Sequence, residues 1–564
     1  MCKVLLIAPC FSGQSFWNFR AACEVYGARF PAAPLGLITV AALLPSSWQC
    51  RLVNRNTENL LEADLDWADL VMTGGMLPQQ PDTLRVIELA HARRKPVVVG
   101  GPDVTSSPEA YRAADFQVLG EAEGVIDSFI RAWTLGVRQG VFEAEKFKID
   151  VTKTPIPRFD LLKRGQYTFY GVQFARGCPF TCEFCDIVEL YGRVVKAVEQ
   201  MLAELEALYR IGYRGHLDFV DDNFIGNKKA VKAFLPHLIA WQQERGYPFE
   251  FSTEASINIA DDDALLALMR EANFFTIFVG IESPDTDTLV SMQKKQNTRR
   301  ALADCVHRIY RAGIFVNAGF IVGFDSEKGA VAEAMIECIE VTSIPFCMVG
   351  LLYALPTTQL TRRLAREGRL FPPSYTTRLT EEGVGDQCTS GLNFETARPR
   401  RDILFDYRTI LERVYRPAAY YARVRTVAHM LNRPAFDRSA SKDAPRPRLF
   451  GVPVRDIALL WRLTWRIAVR QPKALWHFGN VFYECAAKNP RAIGYVGMLA
   501  AFYLHLRPFS RFVVSVVDRQ IAEIDSGKWQ PPLVEADQVA DDRDRRKRGQ
   551  WHIGAQCRAV VAGQ

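Results

Sequence analysis

Two series of short apolar segments, each interrupted by helical stretches, constrain what this chain can fold into. The first series lies within residues 1–145, at 3–9, 50–56, 68–74, 96–102 and 116–121. Apolar runs of this length that alternate with helical patterns are typical of parallel strands in βαβ units. We therefore predict an N-terminal α/β domain built on a parallel sheet.

A second series follows a Pro-containing linker at 146–165. Its strand candidates are 168–177, 216–223, 249–256, 274–283, 315–324 and 347–355. Six βα units in a row favour a partial or complete α/β barrel over an open sheet. Beyond residue 395 the strand patterns stop. We predict domains at 1–145, 166–390 and 391–530 (the last helical), and a disordered tail at 531–564.

Composition narrows the class of protein. The chain has 564 residues, of which 48% are hydrophobic and 24% charged, and these values exclude wholesale disorder. Thirteen cysteines are too few for a disulfide scaffold of this size, and no apolar leader follows Met1, so we expect a cytoplasmic protein. The net charge of +7 is uneven, because residues 395–473 carry 18 Lys and Arg against 7 Asp and Glu.

Three cysteines form the most specific chemical pattern. Cys178, Cys182 and Cys185 have the spacing C-x3-C-x2-C on a loop just after a predicted strand. A zinc site would need a fourth ligand, and the nearest histidine in sequence is His216. A [4Fe–4S] cluster held by three thiolates keeps one iron open for another ligand. A structural metal site, or three unconnected core cysteines, remains the alternative.

Polar residues and glycines follow the other predicted strands. In the second series these are Asp222, Glu254, Glu282 and Gly323. Barrel active sites form at the carboxyl ends of strands, so these residues are candidate ligand contacts, with loop caps and ion pairs as the alternative.

The strands of the first series end in small and polar residues: Asn54, Arg55, Asn56, Thr73, Gly74, Gly75, Gly100, Gly101, Pro102 and Glu121. Such an edge suits a large flat ligand or a nucleotide tail, although paired glycines also occur in ordinary turns. No G-x-G-x-x-G follows the first strand, and this disfavours a dinucleotide site.

The cysteine loop and its strand-end groups resemble the radical SAM superfamily. With the α/β domain placed upstream, the chain is similar to the cobalamin-binding class B methyltransferases, and most similar to the hopanoid C-2 methylases. Segments 34–37 (PLGL), 221–224 (DDNF) and 389–394 (TSGLNF) carry this resemblance.

The resemblance implies a flavodoxin-like, Rossmann-type cobalamin domain, a partial (β/α)6 TIM-like barrel and an α-helical C-terminal extension. The three cysteines would hold a [4Fe–4S] cluster whose open iron binds S-adenosylmethionine (SAM). Phe184, Asp222, Glu254, Glu282 and Gly323 would contact SAM, Phe184 beside the adenine. The strand-end residues of the first domain, from Asn54 to Glu121, would contact cobalamin.

Related cobalamin domains often supply a histidine to cobalt after the second strand, where this chain has residues 54–56 (NRN). Within residues 1–150 only His91 is a histidine, and it belongs to a predicted helix. We therefore expect base-off, His-off cobalamin. The chain also departs from its relatives at 191–197, where they carry a longer basic segment.

The implied activity is methylation of an unactivated carbon by a 5′-deoxyadenosyl radical and methylcobalamin, with flavodoxin or ferredoxin as electron donor. An apolar small molecule or lipid, such as a hopanoid methylated at C-2, is the expected substrate. Alternatives are a cyclisation or rearrangement on the same cofactors, or a non-catalytic cobalamin or iron–sulfur sensor.

The C-terminal region contains a basic amphipathic helix. Arg455, Arg462, Arg466 and Arg470 fall on one helical face, with Trp and Leu on the remainder. This pattern indicates a membrane-surface helix, hence peripheral contact with the inner face of the cytoplasmic membrane. A core helix capped by solvated arginines is the alternative. The uncharged run 492–506 is too short to cross a bilayer. No nucleic-acid motif accompanies the charge, so we expect no nucleic-acid partner.

Overall fold

A computed structural model of the chain describes residues 2–298, 301–372, 375, 388–436, 440–441, 448–449 and 452–532. The disordered tail predicted for 531–564 therefore lies almost wholly outside the described residues. Two parallel sheets and a set of C-terminal helices account for the architecture.

The first sheet is flavodoxin-like, as predicted. Its strands run parallel in the order β3-β1-β4-β5-β6-β7. They are β1 (Lys3–Ala8), β3 (Gln49–Asn54), β4 (Leu70–Thr73), β5 (Val97–Gly100), β6 (Phe116–Leu119) and β7 (Gly140–Glu143). The sequence pattern did not predict β7. Numbered within this sheet alone, the order is 2-1-3-4-5-6, which places the ligand crevice between β1 and β4.

Side chains of β1 alternate between two cores, because successive residues of a strand point to opposite faces. Leu5 and Ile7 pack with Val86 and other residues on one side of the sheet. Val4 and Leu6 belong to the larger core, which continues into the second sheet. Both faces of the sheet are thus buried, as parallel sheets require.

The second sheet is the predicted partial barrel. Its strands are parallel in the order β15-β14-β13-β12-β11-β8-β2. They are β2 (Phe30–Ala32), β8 (Tyr167–Val172), β11 (Gly215–Phe219), β12 (Phe249–Glu254), β13 (Phe274–Glu282), β14 (Phe315–Val322) and β15 (Cys347–Leu351). The edge strand β2 comes from the N-terminal region and pairs with β8, a connection that the sequence pattern did not predict.

Short helices connect the strands of both sheets. Those of the first region are α1 (Arg20–Tyr26), α2 (Leu35–Leu43), α3 (Glu62–Trp67), α4 (Gln80–Ala92), α5 (Pro102–Ser106) and α6 (Ile126–Thr134). Those of the barrel are α7 (Ile187–Leu190), α8 (Val198–Arg210), α9 (Lys228–Glu244), α10 (Asp263–Glu271), α11 (Thr286–Ser291), α12 (Leu302–Arg311), α13 (Val331–Thr342) and α14 (Gln359–Arg366). A small antiparallel pair, β9 (Ala175–Arg176) and β10 (Val194–Val195), flanks the cysteine loop.

The C-terminal region is helical, as predicted. Its helices are α15 (Arg400–Val414), α16 (Pro417–Met430), α17 (Val454–Arg470), α18 (Pro472–Lys488) and α19 (Ile493–Asp525). One departure from the all-helical expectation is a short antiparallel pair, β16 (Arg448–Leu449) and β17 (Val452–Pro453).

The uncharged run 492–506 forms most of the first half of α19, which packs on α15 and on α1. In the described part of the chain, no helix has the length and apolar character needed to span a membrane.

Candidate active site

One cavity of about 2640 Å³ extends from the carboxyl edge of the first sheet into the interior of the barrel. The strand ends of β3, β4, β5 and β6 form one wall, and inward-facing residues of β8, β11, β12 and β13 form another. Helix α17 closes part of its far side. The cavity therefore connects the two predicted cofactor regions with the C-terminal helices.

The wall at the first sheet is almost free of side chains because glycines end two neighbouring strands. A Cβ on Gly74 would lie 1.9 Å from the carbonyl oxygen of Gly100, so no other residue fits there. Thr73, Gly75, Gly101 and Pro102 continue the same wall. The result is a flat backbone surface that a large planar ligand can approach closely.

Of the three residues at the end of β3 and just after it, two face the cavity and one does not. Asn54 and Asn56 line the cavity and are hydrogen-bonded to each other, and Asn54 Nδ2 also donates to the Tyr167 hydroxyl at 3.1 Å. Arg55 does not line the cavity, because its guanidinium makes two 2.8 Å hydrogen bonds to Asp82. Of these three predicted contacts, the structure brings only the asparagines to the cavity.

Histidine is absent from the wall that the described residues of the first sheet contribute. The predicted helical residue His91 lies in α4, where its Nε2 is 2.8 Å from Asp115 Oδ2 on the outer surface.

A buried ion pair links the first sheet to the cysteine loop. Arg176 NH1 lies 3.0 Å from Glu121, which follows β6, and Arg176 NH2 lies 2.5 Å from Glu123. Burial raises the pKa of Glu121, and Arg176 opposes that increase. Glu121 and Arg176 both line the cavity. Glu121 thus has a protein partner as well as its predicted position near a ligand.

The cysteine loop is held at its start by the acidic residues that follow β11. Asp221 accepts hydrogen bonds from the backbone N–H groups of Phe174 and Ala175, both at 2.8 Å. Asp222 Oδ2 accepts one from Gly177 at 2.7 Å. Gly177 has φ +79°, and a Cβ there would lie 2.4 Å from the Gly192 carbonyl oxygen. Position 177, where the chain enters the cysteine loop, can therefore be occupied only by glycine.

The thiols lie in a buried environment with weak amide donors. Asn223 Nδ2 is 3.6 Å from Cys178 Sγ, and Gln296 Nε2 is 3.8 Å from Cys182 Sγ. Burial raises the pKa of both Cys182 and Cys185. A buried thiolate of this kind needs a cationic partner, and metal binding provides one.

In the described residues, no three His, Cys, Asp or Glu side chains converge on a single ion. Three thiolates on one loop can instead each bind a different iron of a cluster, and the chemistry of this donor set fits that group.

The end of β13 contains a second buried ion pair. Glu282 Oε1 lies 2.5 Å from Lys294 Nζ, and Lys294 is also 5.7 Å from the centre of the Phe184 ring. Burial alone would lower the pKa of Lys294, but Glu282 raises it. A Cβ on Gly280 would lie 2.3 Å from the Glu282 carboxylate, so glycine makes room for the pair. This pair is next to the cysteine loop rather than on the cavity wall.

Carboxylates also face the cavity from inside the barrel. Glu254, at the end of β12, has its buried Oε2 without a partner in the described structure. Burial and the charges of Asp218, Asp221 and Asp222 raise the pKa of Glu254 well above its ordinary value.

A hydrogen-bonded group lies next to Glu254 in the same interior. Asp218 accepts a hydrogen bond from the Ser252 hydroxyl, and burial raises the pKa of Asp218 to about 6. His216 Nε2 lies 2.6 Å from Ser252 Oγ, and burial lowers the pKa of His216 to about 3. His216 is therefore neutral, and the Ser252 hydroxyl lies between it and Asp218.

Gly323, the remaining SAM candidate, does not line the cavity. Its N–H donates to both carboxylate oxygens of Glu327 at 3.0 Å, and a Cβ there would lie 2.6 Å from Leu392. Close packing within the protein therefore already explains glycine at this position. Among the five SAM candidates, Asp222 and Glu254 line the cavity directly.

The segment 191–197 forms part of the cavity wall. Tyr191 and Lys196 face the cavity, and Val194–Val195 pairs with the strand that precedes the cysteine loop. Lys196 forms an ion pair with Glu204, and both side chains are almost fully buried. These contacts hold segment 191–197 in place beside the cysteine loop.

Several residues of the site were not predicted from the sequence. Gln79 lines the cavity and donates to the Pro9 carbonyl oxygen at 2.7 Å, and Asp218, Ser252 and Lys294 were also missed. Only alternation within β11 and β12 could have indicated Asp218 and Ser252, as polar residues on an inward face. The sequence contains no local signal for Gln79 or Lys294.

Three family models match the chain. The B12 binding domain covers residues 27–130, the Radical SAM superfamily covers 172–339, and a domain of unknown function (DUF4070) covers 358–518. The matched regions correspond to the glycine-edged sheet, the barrel and the C-terminal helices. Together, the Radical SAM and B12 binding matches favour an enzyme that uses both cofactors over the non-catalytic sensor considered from the sequence.

Among curated proteins, the chain is 39% identical to an uncharacterized methyltransferase (sll1242) of Synechocystis sp., over 94% of this chain and 96% of that protein. It is 36% identical to the hopanoid C-2 methylase of Rhodopseudomonas palustris, over 84% of this chain and 88% of that protein.

Solved structures show the same fold. The cobalamin-dependent S-adenosylmethionine radical enzyme OxsB, with aqua-cobalamin bound, matches with a TM-score of 0.57 and 13% identity, over 94% of this chain and 82% of that one. The radical S-adenosylmethionine methyltransferase TsrM from Kitasatospora setae, with cobalamin and a [4Fe-4S] cluster bound, matches with a TM-score of 0.52 and 15% identity, over 65% and 78%. With its two curated relatives, this chain belongs to the cobalamin-dependent radical SAM methyltransferases, enzymes that use a [4Fe–4S] cluster, SAM and cobalamin.

Proposed function

We propose that this enzyme methylates an unactivated carbon of a hopanoid lipid, at C-2. The continuous cavity of about 2640 Å³ carries the proposal, because it extends past the two proposed cofactor regions to helix α17 and so offers space for a substrate beside them. Aromatic and aliphatic side chains such as Phe169, Phe275 and Leu35 dominate its wall. The 36% identity to a hopanoid C-2 methylase supports the lipid class.

We propose that Cys178, Cys182 and Cys185 hold the cluster, and that Phe184, Asp222, Glu254, Glu282 and Gly323 surround SAM. For cobalamin we propose the edge of the first sheet: Asn54, Asn56, Thr73, Gly74, Gly75, Gly100, Gly101, Pro102 and Glu121, while Arg55 is held away from the cavity by Asp82. When bound, the cluster and SAM supply radical chemistry and cobalamin carries the methyl group.

The protein's own contribution is to position these groups and exclude water. Asp221 and Asp222 fix the start of the cysteine loop, and Arg176 fixes that loop relative to the first sheet. The apolar wall keeps water from a reactive carbon radical. A small one-electron donor, flavodoxin or ferredoxin, would supply reducing equivalents. An iron cluster held by thiolates needs reducing conditions, and this requirement supports a cytoplasmic location.

A labelling experiment tests the reaction and its substrate. Incubation of the reconstituted enzyme with methyl-deuterated SAM, a reductant and a hopanoid should give a product heavier by one labelled methyl group, together with 5′-deoxyadenosine. Mass spectrometry of the extracted lipids measures the labelled product, and chromatography of the aqueous phase measures 5′-deoxyadenosine. Hopanoid consumed without uptake of label would show a cyclisation or rearrangement, and an unchanged hopanoid would contradict the substrate assignment.

The cluster assignment predicts a selective effect of cysteine substitution. In Cys182→Ala, iron content and reductive SAM cleavage should fall to background, because two thiolates cannot replace three. Cys50→Ala is a matched control, since Cys50 is half-buried in β3 and away from the loop. Iron analysis and chromatography of 5′-deoxyadenosine measure the difference. Full cleavage activity in Cys182→Ala would disprove the assignment.

The Arg176 ion pair predicts a split between two partial reactions. Arg176→Gln leaves the buried carboxylates of Glu121 and Glu123 without their cation, at a cost of about 3–5 kcal/mol, and frees the cysteine loop from the first sheet. Because small displacements of reacting groups cost about 100-fold in rate, methyl transfer should fall by roughly 10- to 100-fold while SAM cleavage persists.

The exposed Arg112–Glu109 pair provides the control, and Arg112→Gln should leave both reactions unchanged. The ratio of labelled product to 5′-deoxyadenosine is the measurement. An equal loss of both reactions in Arg176→Gln would mean that Arg176 acts on overall folding and does not position the two cofactors.

We further propose that cobalamin is bound base-off and without a histidine ligand. Electron paramagnetic resonance of the Co(II) form should show no hyperfine coupling from an imidazole nitrogen on the axis of cobalt. His91→Ala should leave the spectrum unchanged, since His91 pairs with Asp115 on the outer surface. Nitrogen coupling that disappears in His91→Ala would contradict the proposal.

A further inference from the structure

Two adjacent C-terminal helices expose an unusual amount of aromatic surface. On α17, Trp461 is 69% exposed and Trp465 is 61% exposed, and on α18 Trp476 is 73% and Tyr483 78% exposed. Val454, Ile457 and Val469 of α17 add exposed aliphatic area. Large apolar side chains at this density on a surface mark an interaction site.

The sequence indicated a membrane-surface helix from the combination of basic and aromatic residues in α17, and the structure shows where each kind of side chain lies. Arg466 and Arg470 turn towards Glu24 of α1, which attaches α17 to the N-terminal region. The tryptophans at 461 and 465, spaced one helical turn apart, point outward instead. The aromatic side chains therefore form the exposed apolar part of this surface, and two of the four arginines attach the helix to α1.

The opposite side of α17 faces the cavity. Leu459, Leu460 and Leu463 line it, and Leu463 is buried. Arg455 and Ile457 also border it near the start of the helix. A single helix therefore separates the lipid-sized cavity from the exposed aromatic surface.

The charge on these helices identifies the partner. Residues 454–488 carry six Lys and Arg against two acidic residues, and three of the six (Arg466, Arg470 and Lys488) form ion pairs with Glu24 or Glu484. Arg455, Arg462 and Lys473 are the exposed basic residues that remain on these two helices. Tryptophan favours the interface between water and lipid, and Lys and Arg side chains are attracted to an anionic lipid surface.

A second copy of this chain fits the same surface less well. A two-fold symmetric contact would place each patch against its own copy and bring like charges together.

We propose that the outer faces of α17 and α18 dock on an anionic lipid bilayer, so that a lipid substrate enters the cavity beside α17. The part concerning substrate entry rests on the proposed function. The docking surface itself depends only on the exposed aromatic residues and the charge around them.

Vesicle sedimentation with the full-length holoenzyme tests the surface. The wild type should bind vesicles containing phosphatidylglycerol at least about tenfold more strongly than pure phosphatidylcholine vesicles. The triple variant W461A/W465A/W476A should lose this binding. Leu135→Ala, at another exposed apolar residue in the first region, is the matched control and should retain it. Circular dichroism verifies that the variants are folded.

Three results would overturn the proposal: vesicle binding retained by the triple variant, equal binding to neutral and anionic vesicles, or a dimer in light scattering that the triple variant abolishes. Label transfer to a hopanoid in detergent solution separates the two hypotheses. Methylation without vesicle binding would leave the proposed function intact and reject the docking surface. Vesicle binding without methylation would support the docking surface and reject the proposed function.

Discussion

The buried contact of Arg176 with Glu121 and Glu123 is the constraint on which the geometry of this enzyme depends. Arg176 directly precedes the cysteine loop, and Glu121 directly follows a strand of the glycine-edged sheet. Separating these groups would leave buried charges without partners, which is far more costly than losing a surface ion pair. This contact therefore fixes the position of one cofactor region relative to the other, although the two are distant in sequence.

Strand β2 strengthens the same connection through the backbone. Phe30–Ala32 leaves the first region and pairs with β8 of the barrel, and the N–H groups of Arg29 and Phe30 both donate to Gln166. Residues 34–37, which follow β2, line the cavity. The partial barrel is therefore closed on one side by N-terminal chain, and the cavity has walls from both sheets.

Much of this arrangement could be predicted from the sequence, because its signals are local. The cysteine spacing, the apolar strand segments and the glycines at strand ends are short patterns with direct physical meaning. Arg55 shows where such reasoning ends, since only the position of Asp82 in space turns it away from the cavity. Lys294 and strand β2 likewise depend on partners far along the chain, which no local pattern identifies.

Unfavourable local features are concentrated where ligands are expected. Glu282 has φ +67°, Glu254 keeps a buried carboxylate oxygen without a partner among the residues that the structure describes, and Gly74 leaves no space for a side chain. A strained backbone position or an unpaired buried acceptor costs about 1–3 kcal/mol each, and folding alone gives no reason to keep them. A bound group that donates a hydrogen bond to Glu254 recovers part of that cost. Fold stability and ligand affinity are therefore linked through the same few residues of this cavity.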